Sequence, residues 1–186
     1  LSSPISWTDF KLNKQLLDSV ADAGFENPTE IQQKCIPLVL GGQHVIGIAQ
    51  TGTGKTAAYL LPLLMKIRYA QGTDARALIL VPTKELVVQV FAQASALAKY
   101  TDIRMVAIYG GVGPKTQIEK IKAGVDLIIA TPGRFLELYQ RNELILKQIK
   151  TLVLDEADRM MDMGFMPQLR KIFEVIPSKR QNVFFS

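Results

Sequence analysis

The segment Ala49-Gln50-Thr51-Gly52-Thr53-Gly54-Lys55-Thr56 follows the apolar run Val45-Ile46-Gly47-Ile48 and precedes a helical pattern. A buried strand, a glycine-rich turn and a helix in that order are what a phosphate-binding loop requires. Glycines let the backbone wrap with its N–H groups pointing inward, and the helix N-terminus adds partial positive charge. Lys55 can then reach β- and γ-phosphates, and the Thr56 hydroxyl can ligate Mg²⁺. Ala49 stands where the usual pattern has its first glycine, and a small residue suffices there if the backbone angle is ordinary. A second apolar run, Thr151-Leu152-Val153-Leu154, delivers Asp155 and Glu156 to a strand end. One carboxylate there can hold the metal, directly or through water, and the other can orient an attacking water.

Other chemistries have little to work with. His44 is the only histidine and Cys35 the only cysteine. Zinc centres and histidine-based triads are therefore disfavoured, and no internal disulfide can form. Cys35 reads as a small packed residue and His44 as a turn residue before a strand. No apolar run approaches the ~18–20 residues of a membrane span. The start, Leu1-Ser2-Ser3-Pro4, lacks both regions of a signal peptide. A cytoplasmic, in any case intracellular, location is the expectation, with nucleus and nucleolus left open. The net charge of +5 is compatible with a polyanion partner but decides nothing alone. The 186 residues suffice for one domain with a sizeable core.

Apolar positions at Phe10, Leu12, Leu16, Leu17, Val20 and Ala21 predict an amphipathic helix over 10–24, ending near Gly24. Pro28-Thr29 opens a second helix through Ile31, Cys35, Ile36 and Val39, closed by Gly41-Gly42. Strands are expected at 44–49, 77–81, 104–109, 126–130, 150–154 and 182–185, and helices near 55–70, 84–99, 114–122, 132–140 and 166–175. Several strands are apolar throughout, as when helices cover both faces of a parallel sheet. The predicted fold is a doubly wound, mainly parallel α/β domain with ligands at the C-terminal strand ends. Residues 1–42 are expected as a helical segment packed on a core of 43–186, the two forming one domain. The chain stops at Ser186 directly after Val183-Phe184-Phe185, where a functional loop should begin, so a continuation is expected.

Several separated motifs in one order make the chain resemble the N-terminal RecA-like, ATP-binding domain of a DEAD-box RNA helicase. Gly24-Phe25-Glu26-Asn27-Pro28-Thr29-Glu30-Ile31-Gln32 is similar to that family's adenine-recognising motif, with Trp7 at the upstream aromatic position where phenylalanine is usual. The resemblance implies that Gln32 hydrogen-bonds the adenine edge and Phe25 stacks on the base, with Asn27 beside them. An amide offers one donor and one acceptor to adenine, and an aromatic face suits a flat base. Pro82-Thr83-Lys84-Glu85-Leu86-Val87-Val88-Gln89 resembles a second family segment, with lysine for arginine at 84. Gly110-Gly111 and Thr131-Pro132-Gly133-Arg134 resemble two more. By resemblance these elements contact RNA backbone, so little base specificity is implied. Lys84 keeps the charge of an arginine but not its bidentate fork. Asp155-Glu156-Ala157-Asp158 is the family's namesake signature, and Asp158 would couple the ATP site to a motif of which Ser186 is the first residue.

The resemblance implies ATP and Mg²⁺ as ligands and RNA as partner. Lys55, Asp155 and Glu156 would be catalytic, residues 49–56 would bind nucleotide, and Thr56 with Asp155 would hold the metal. It further implies a second RecA-like domain of the same chain, closing over ATP to separate short RNA duplexes locally. Two rivals stay open at this stage: a related DNA helicase, and a non-enzymatic binding module that keeps its nucleotide site as a switch. The methionines around 160–166 read as packing residues.

Overall fold

Leu78, Leu80, Ile128 and Leu152 are buried as completely as their neighbours Ile79, Ile129 and Val153. Successive side chains on a strand point to opposite faces, so an unbroken apolar run is stable only where both faces are covered. The computed structural model describes residues 5–186, and Leu1–Pro4, read above for a signal peptide, lie outside them. Six strands form one parallel sheet: β1 (Val45–Gly47), β2 (Ala77–Leu80), β3 (Met105–Ile108), β4 (Leu127–Ala130), β5 (Thr151–Leu154) and β6 (Gln181–Phe185). Their order is β1-β6-β5-β2-β4-β3.

Strand alternation divides the core into two layers. Ala77, Ile79, Leu127, Ile129, Val153, Val183 and Phe185 pack on one face with residues of α1 (Lys14–Asp22), α2 (Glu30–Leu40), α3 (Lys55–Ile67) and α4 (Lys84–Leu97). Leu78, Leu80, Val106, Ile108, Ile128, Leu152 and Leu154 pack on the other with α6 (Pro132–Gln140), α7 (Ala157–Asp162) and α8 (Met166–Val175). Ile118 and Ile121 of α5 (Lys115–Ala123) join this second layer from its margin. Trp7, Phe10, Leu16 and Ile36 belong to the first layer, so the N-terminal helices share the core of the sheet.

Three local expectations change. The helix predicted over 10–24 is a single 3-10 turn, Trp7–Phe10, followed by α1 from Lys14. Lys11 takes a left-handed φ of 60°, and the Asn13 side chain accepts from the Leu16 N–H at 2.9 Å, restarting the helix there. The apolar spacing was right for burial, except that Ala21 is exposed. The run before the P-loop is not a buried strand. Ile46 and Ile48 are 86% and 88% exposed, because β1 is an edge strand and the second layer contains no β1 residue. The helix α7 was not anticipated. It buries Met160 and leaves Met161 and Met163 exposed, so the packing expected of those methionines holds for Met160 alone among these three. Cys35 is buried in α2, and burial pushes its thiol up to about 12, which keeps it inert. The ring Nδ1 of His44 accepts from the Asn182 N–H at 3.0 Å, fixing the entry to β1 against β6.

Asp126, just before β4, is fully buried. Its two oxygens accept from Arg104 Nε, Nη2 and backbone N–H at 3.1, 2.9 and 2.9 Å. They also accept from Arg76 Nη2 at 3.0 Å and the Gln71 N–H at 3.1 Å. Both arginines also donate to backbone carbonyls, Arg76 to Ile67 and Tyr69, Arg104 to Gln71 and Gly72. One carboxylate thus ties the connections into β2, β3 and β4 at the N-terminal edge of the sheet. It was not singled out in the sequence, where it reads only as the polar residue before an apolar run.

Candidate nucleotide-binding site

The P-loop, the Asp155–Asp158 quartet and the segments from Pro82, Gly110 and Thr131 lie at the opposite, C-terminal edge of the strands. The loop after β1 turns through Gly52 and Gly54, with φ of 87° and 81° that only glycine adopts at little cost. The Thr53 hydroxyl donates to the Gln50 carbonyl at 2.6 Å and closes the turn. Lys55 is the first residue of α3, and no side chain caps the N–H groups of that first turn. Those groups carry the partial positive charge of the helix end toward the loop.

Gln32 joins this loop to the N-terminal helices. It is buried at N3 of α2, where its Oε1 accepts from the Thr29 N–H at 2.8 Å in a capping box. Its Nε2 donates to the Gly54 carbonyl at 3.1 Å. The resemblance implies that this amide meets an adenine. In the structure each end of the amide is engaged with backbone, which leaves one Nε2 hydrogen and one Oε1 lone pair for a further partner. A Cβ at position 54 would collide with Gln32 Nε2 and lie 3.0 Å from Thr29 Oγ1. Gly54→Ala is therefore expected to break the tie, strain the loop by ~1–3 kcal/mol and weaken ADP binding at least tenfold. Calorimetric titration of ADP into the variant checks this.

Phe25 is half-buried, with its ring stacked on Trp7 at 6.2 Å and 27°. The indole Nε1 of Trp7 donates to the Phe25 carbonyl at 3.0 Å, so Trp7 holds both the backbone and one side of the Phe25 ring. Phe25, Asn27, Gln32, Thr51, Gly52, Gly54, Lys55, Thr56, Asp155 and Glu156 line one cavity of about 510 Å³. That size suits a small ligand. Ala49, Gln50 and Thr53 instead face an adjoining hollow of about 480 Å³ beside Ile31 and Lys34. Gln89 and Gln93 of α4 also line the main cavity and were not assigned to it from sequence. Their i, i+4 spacing was the available signal, since it puts both on one helix face.

Asp155 is almost fully buried. Its Oδ2 accepts from the Tyr59 hydroxyl at 2.8 Å, and its Oδ1 lies 2.7 Å from Lys55 Nζ. The lysine approaches outside hydrogen-bonding angles, so Oδ1 has a charge partner but no hydrogen bond. Burial, then the Asp155 charge, hold the Tyr59 phenol well above its usual range, so it stays protonated. Glu156 takes a left-handed φ of 55°, a sparsely populated conformation for a side chain without glycine's freedom. Its Oε2 accepts from Arg159 Nη1 at 3.1 Å.

The second set of sequence candidates gathers at the ends of β2, β3 and β4. Thr83 caps α4 by accepting from the Leu86 N–H at 3.2 Å, and Pro82 beside it is buried. Lys84 is exposed, with Nζ 5.4 Å from the centre of the Tyr109 ring. Gly110 and Gly111 are exposed, Gly111 with φ of 83°. Thr131 is the N-cap of α6 with Pro132 at its first turn, and Gly133 is exposed. The Arg134 guanidinium donates to the Val112 carbonyl at 2.7 Å and to Glu137 Oε2 at 3.0 Å, so it braces the turn at 110–113. Asp158 is exposed in α7, and Ser186 is held by backbone bonds to Gly47 and Ala49. Among the described residues no hydrogen bond joins Asp158 to Ser186.

The DEAD/DEAH box helicase family model matches residues 29–186. Pre-mRNA-processing ATP-dependent RNA helicase prp-5 of Neurospora crassa is 44% identical over 97% of this chain, which spans 16% of that protein. ATP-dependent RNA helicase RhlB of Pseudomonas putida is 43% identical over 96% of this chain, which spans 47% of that protein. The crystal structure of a DEAD box protein from Methanococcus jannaschii superposes with a TM-score of 0.90 at 36% identity, over 97% of this chain and 49% of that one.

Proposed function

This chain belongs to the DEAD/DEAH box helicase family, and we propose that it is the nucleotide-binding half of an ATP-dependent RNA helicase. The observation that carries the reading is the cavity that unites Phe25, Gln32, the P-loop and the Lys55–Asp155 pair. The adenine would lie toward Phe25, Asn27 and Gln32, and the phosphates on the loop N–H groups at 51–56 and on Lys55. Asp155 Oδ1, buried with no hydrogen bond and paired only by a lysine that phosphate would draw away, fits a divalent cation. Thr56 and Asp155 would hold Mg²⁺, which would neutralise charge on the β- and γ-phosphates. Glu156, in its constrained backbone, would orient the attacking water.

The strand ends carrying Thr83, Lys84, Gly111 and Thr131 would take RNA backbone, with Arg134 positioning the loop beside them. Such contacts imply weak RNA binding by this chain, with a log–log salt slope of roughly −0.7 per neutralised phosphate. A second RecA-like domain of the same protein would complete both sites. Residues 1–42 would act with 43–186 as one unit, since Gln32 ties the two together. An intracellular site, cytoplasmic or nuclear, accords with an RNA substrate. Among the described residues no helix is long and apolar enough to cross a membrane.

Selectivity for adenine tests the reading. ADP is expected to bind more tightly than GDP, and Gln32→Ala should weaken ADP by a few-fold to tens-fold, consistent with about 1–2 kcal/mol of hydrogen bonding. Calorimetry that gave equal affinities for ADP and GDP in the parent chain would defeat it.

A further inference from the structure

Tyr59 is a fully buried residue that no motif assigned to the site. It lies on α3 four residues after Lys55 and three after Thr56, so all three share one helix face. Its ring packs against Phe185 at 5.8 Å in the first core layer. Its hydroxyl donates to Asp155 Oδ2 at 2.8 Å, while Lys55 Nζ sits at 2.7 Å from Oδ1.

The two partners of Asp155 differ in what a bound nucleotide can do to them. Lys55 ends a flexible four-carbon stem and can turn toward phosphate. The phenol cannot follow, because a ring with two torsions is locked among close-packed neighbours. An isolated carboxylate could rotate and offer either oxygen, or both. With Oδ2 held, the group keeps one orientation, and Oδ1 is the atom left without a partner when Lys55 turns.

We propose that Tyr59 is a positioning residue for Asp155, holding Oδ2 so that Oδ1 is the oxygen presented to a nucleotide-bound divalent cation. This rests on the nucleotide-and-magnesium reading above. Mg²⁺ demands near-octahedral geometry, and partners that orient a ligand from outside typically matter 10–100-fold in metal affinity.

The test is the ratio of ADP affinities with and without Mg²⁺, measured by calorimetry on this chain. Tyr59→Phe keeps the ring and removes only the hydroxyl, and its metal-free ADP titration reports that the variant is folded. The ratio is expected to fall about tenfold. In an Asp155→Asn background, adding Tyr59→Phe should leave the ratio unchanged, because the hydroxyl acts through that carboxylate. A parent Mg²⁺ gain that survives intact in Tyr59→Phe overturns the inference alone. A further fall in the Asp155→Asn background also overturns it, because the hydroxyl would then act independently of Asp155. A parent chain with no Mg²⁺ gain overturns the nucleotide-and-metal reading and this inference with it.

Discussion

Saturating RNA is expected to leave ATP turnover by this chain at its basal rate, with no duplex separation. Phosphoryl transfer spreads negative charge over the γ-phosphate oxygens, and catalysis is mostly electrostatic stabilisation of that charge. Among the described residues lining the cavity, Lys55 is the one cation. An arginine supplied from outside a nucleotide site typically adds ~10³–10⁵ in rate. The proposed RNA-facing strand ends lie on the same edge as the cavity but form only one side of a path. The proposed coupling of ATP to RNA needs closure against a second domain, so this chain alone is expected to bind the two independently. Joining a second RecA-like domain should restore RNA-stimulated hydrolysis by a factor of that order. Steady-state turnover of both forms, with and without RNA, measures it. Robust stimulation of the monomeric chain alone would mean that the catalytic site is already complete.

Asp126→Ala should lower the unfolding free energy by about 3–5 kcal/mol, although it touches neither ligand surface. Alanine leaves Arg76 and Arg104 facing each other with no anion between them, where both now meet one buried carboxylate. Urea titration with an unchanged slope and a lower midpoint is the expected signature. The same carboxylate predicts an acid limb. Burial pushes the Asp126 carboxyl up, but hydrogen bonds from Arg104, Gln71 and Arg76 together bring it down to about 2, from 3.8. A folded-state value below the unfolded one means that its contribution is complete above about pH 4 and is lost as pH falls toward 2. Asp126→Asn should flatten that part of the stability profile. A variant as stable as the parent, with the same acid limb, would show that the cluster contributes nothing.

Much of this molecule is legible in one dimension because its signals are local. The P-loop spells its own geometry: glycines at positive φ, a lysine opening a helix, a strand before it. The runs Ala77–Leu80, Leu127–Ala130 and Thr151–Leu154 are apolar throughout because both faces are covered, and that pattern alone announced a parallel sheet. Thr29 caps the second helix where Pro28-Thr29 predicts its start. By contrast, Val45–Gly47 has the composition of a central strand and is an edge strand, since strand order depends on contacts far apart in sequence. The break at Lys11 escaped because apolar spacing reports burial and not the continuity of a helix.

The tertiary structure alone decided which polar groups answer one another. Tyr59 and Asp155 are 96 residues apart, Arg76 and Asp126 50, and Gln32 and Gly54 22. None of these pairs has a periodicity to betray it, and each is imposed by the sheet bringing strand ends and helix faces together. The residue types that the chemistry needs were therefore fixed along the chain. Their orientation and the arginine that braces a loop were fixed by packing, because a buried polar atom takes its partner from what the fold sets beside it.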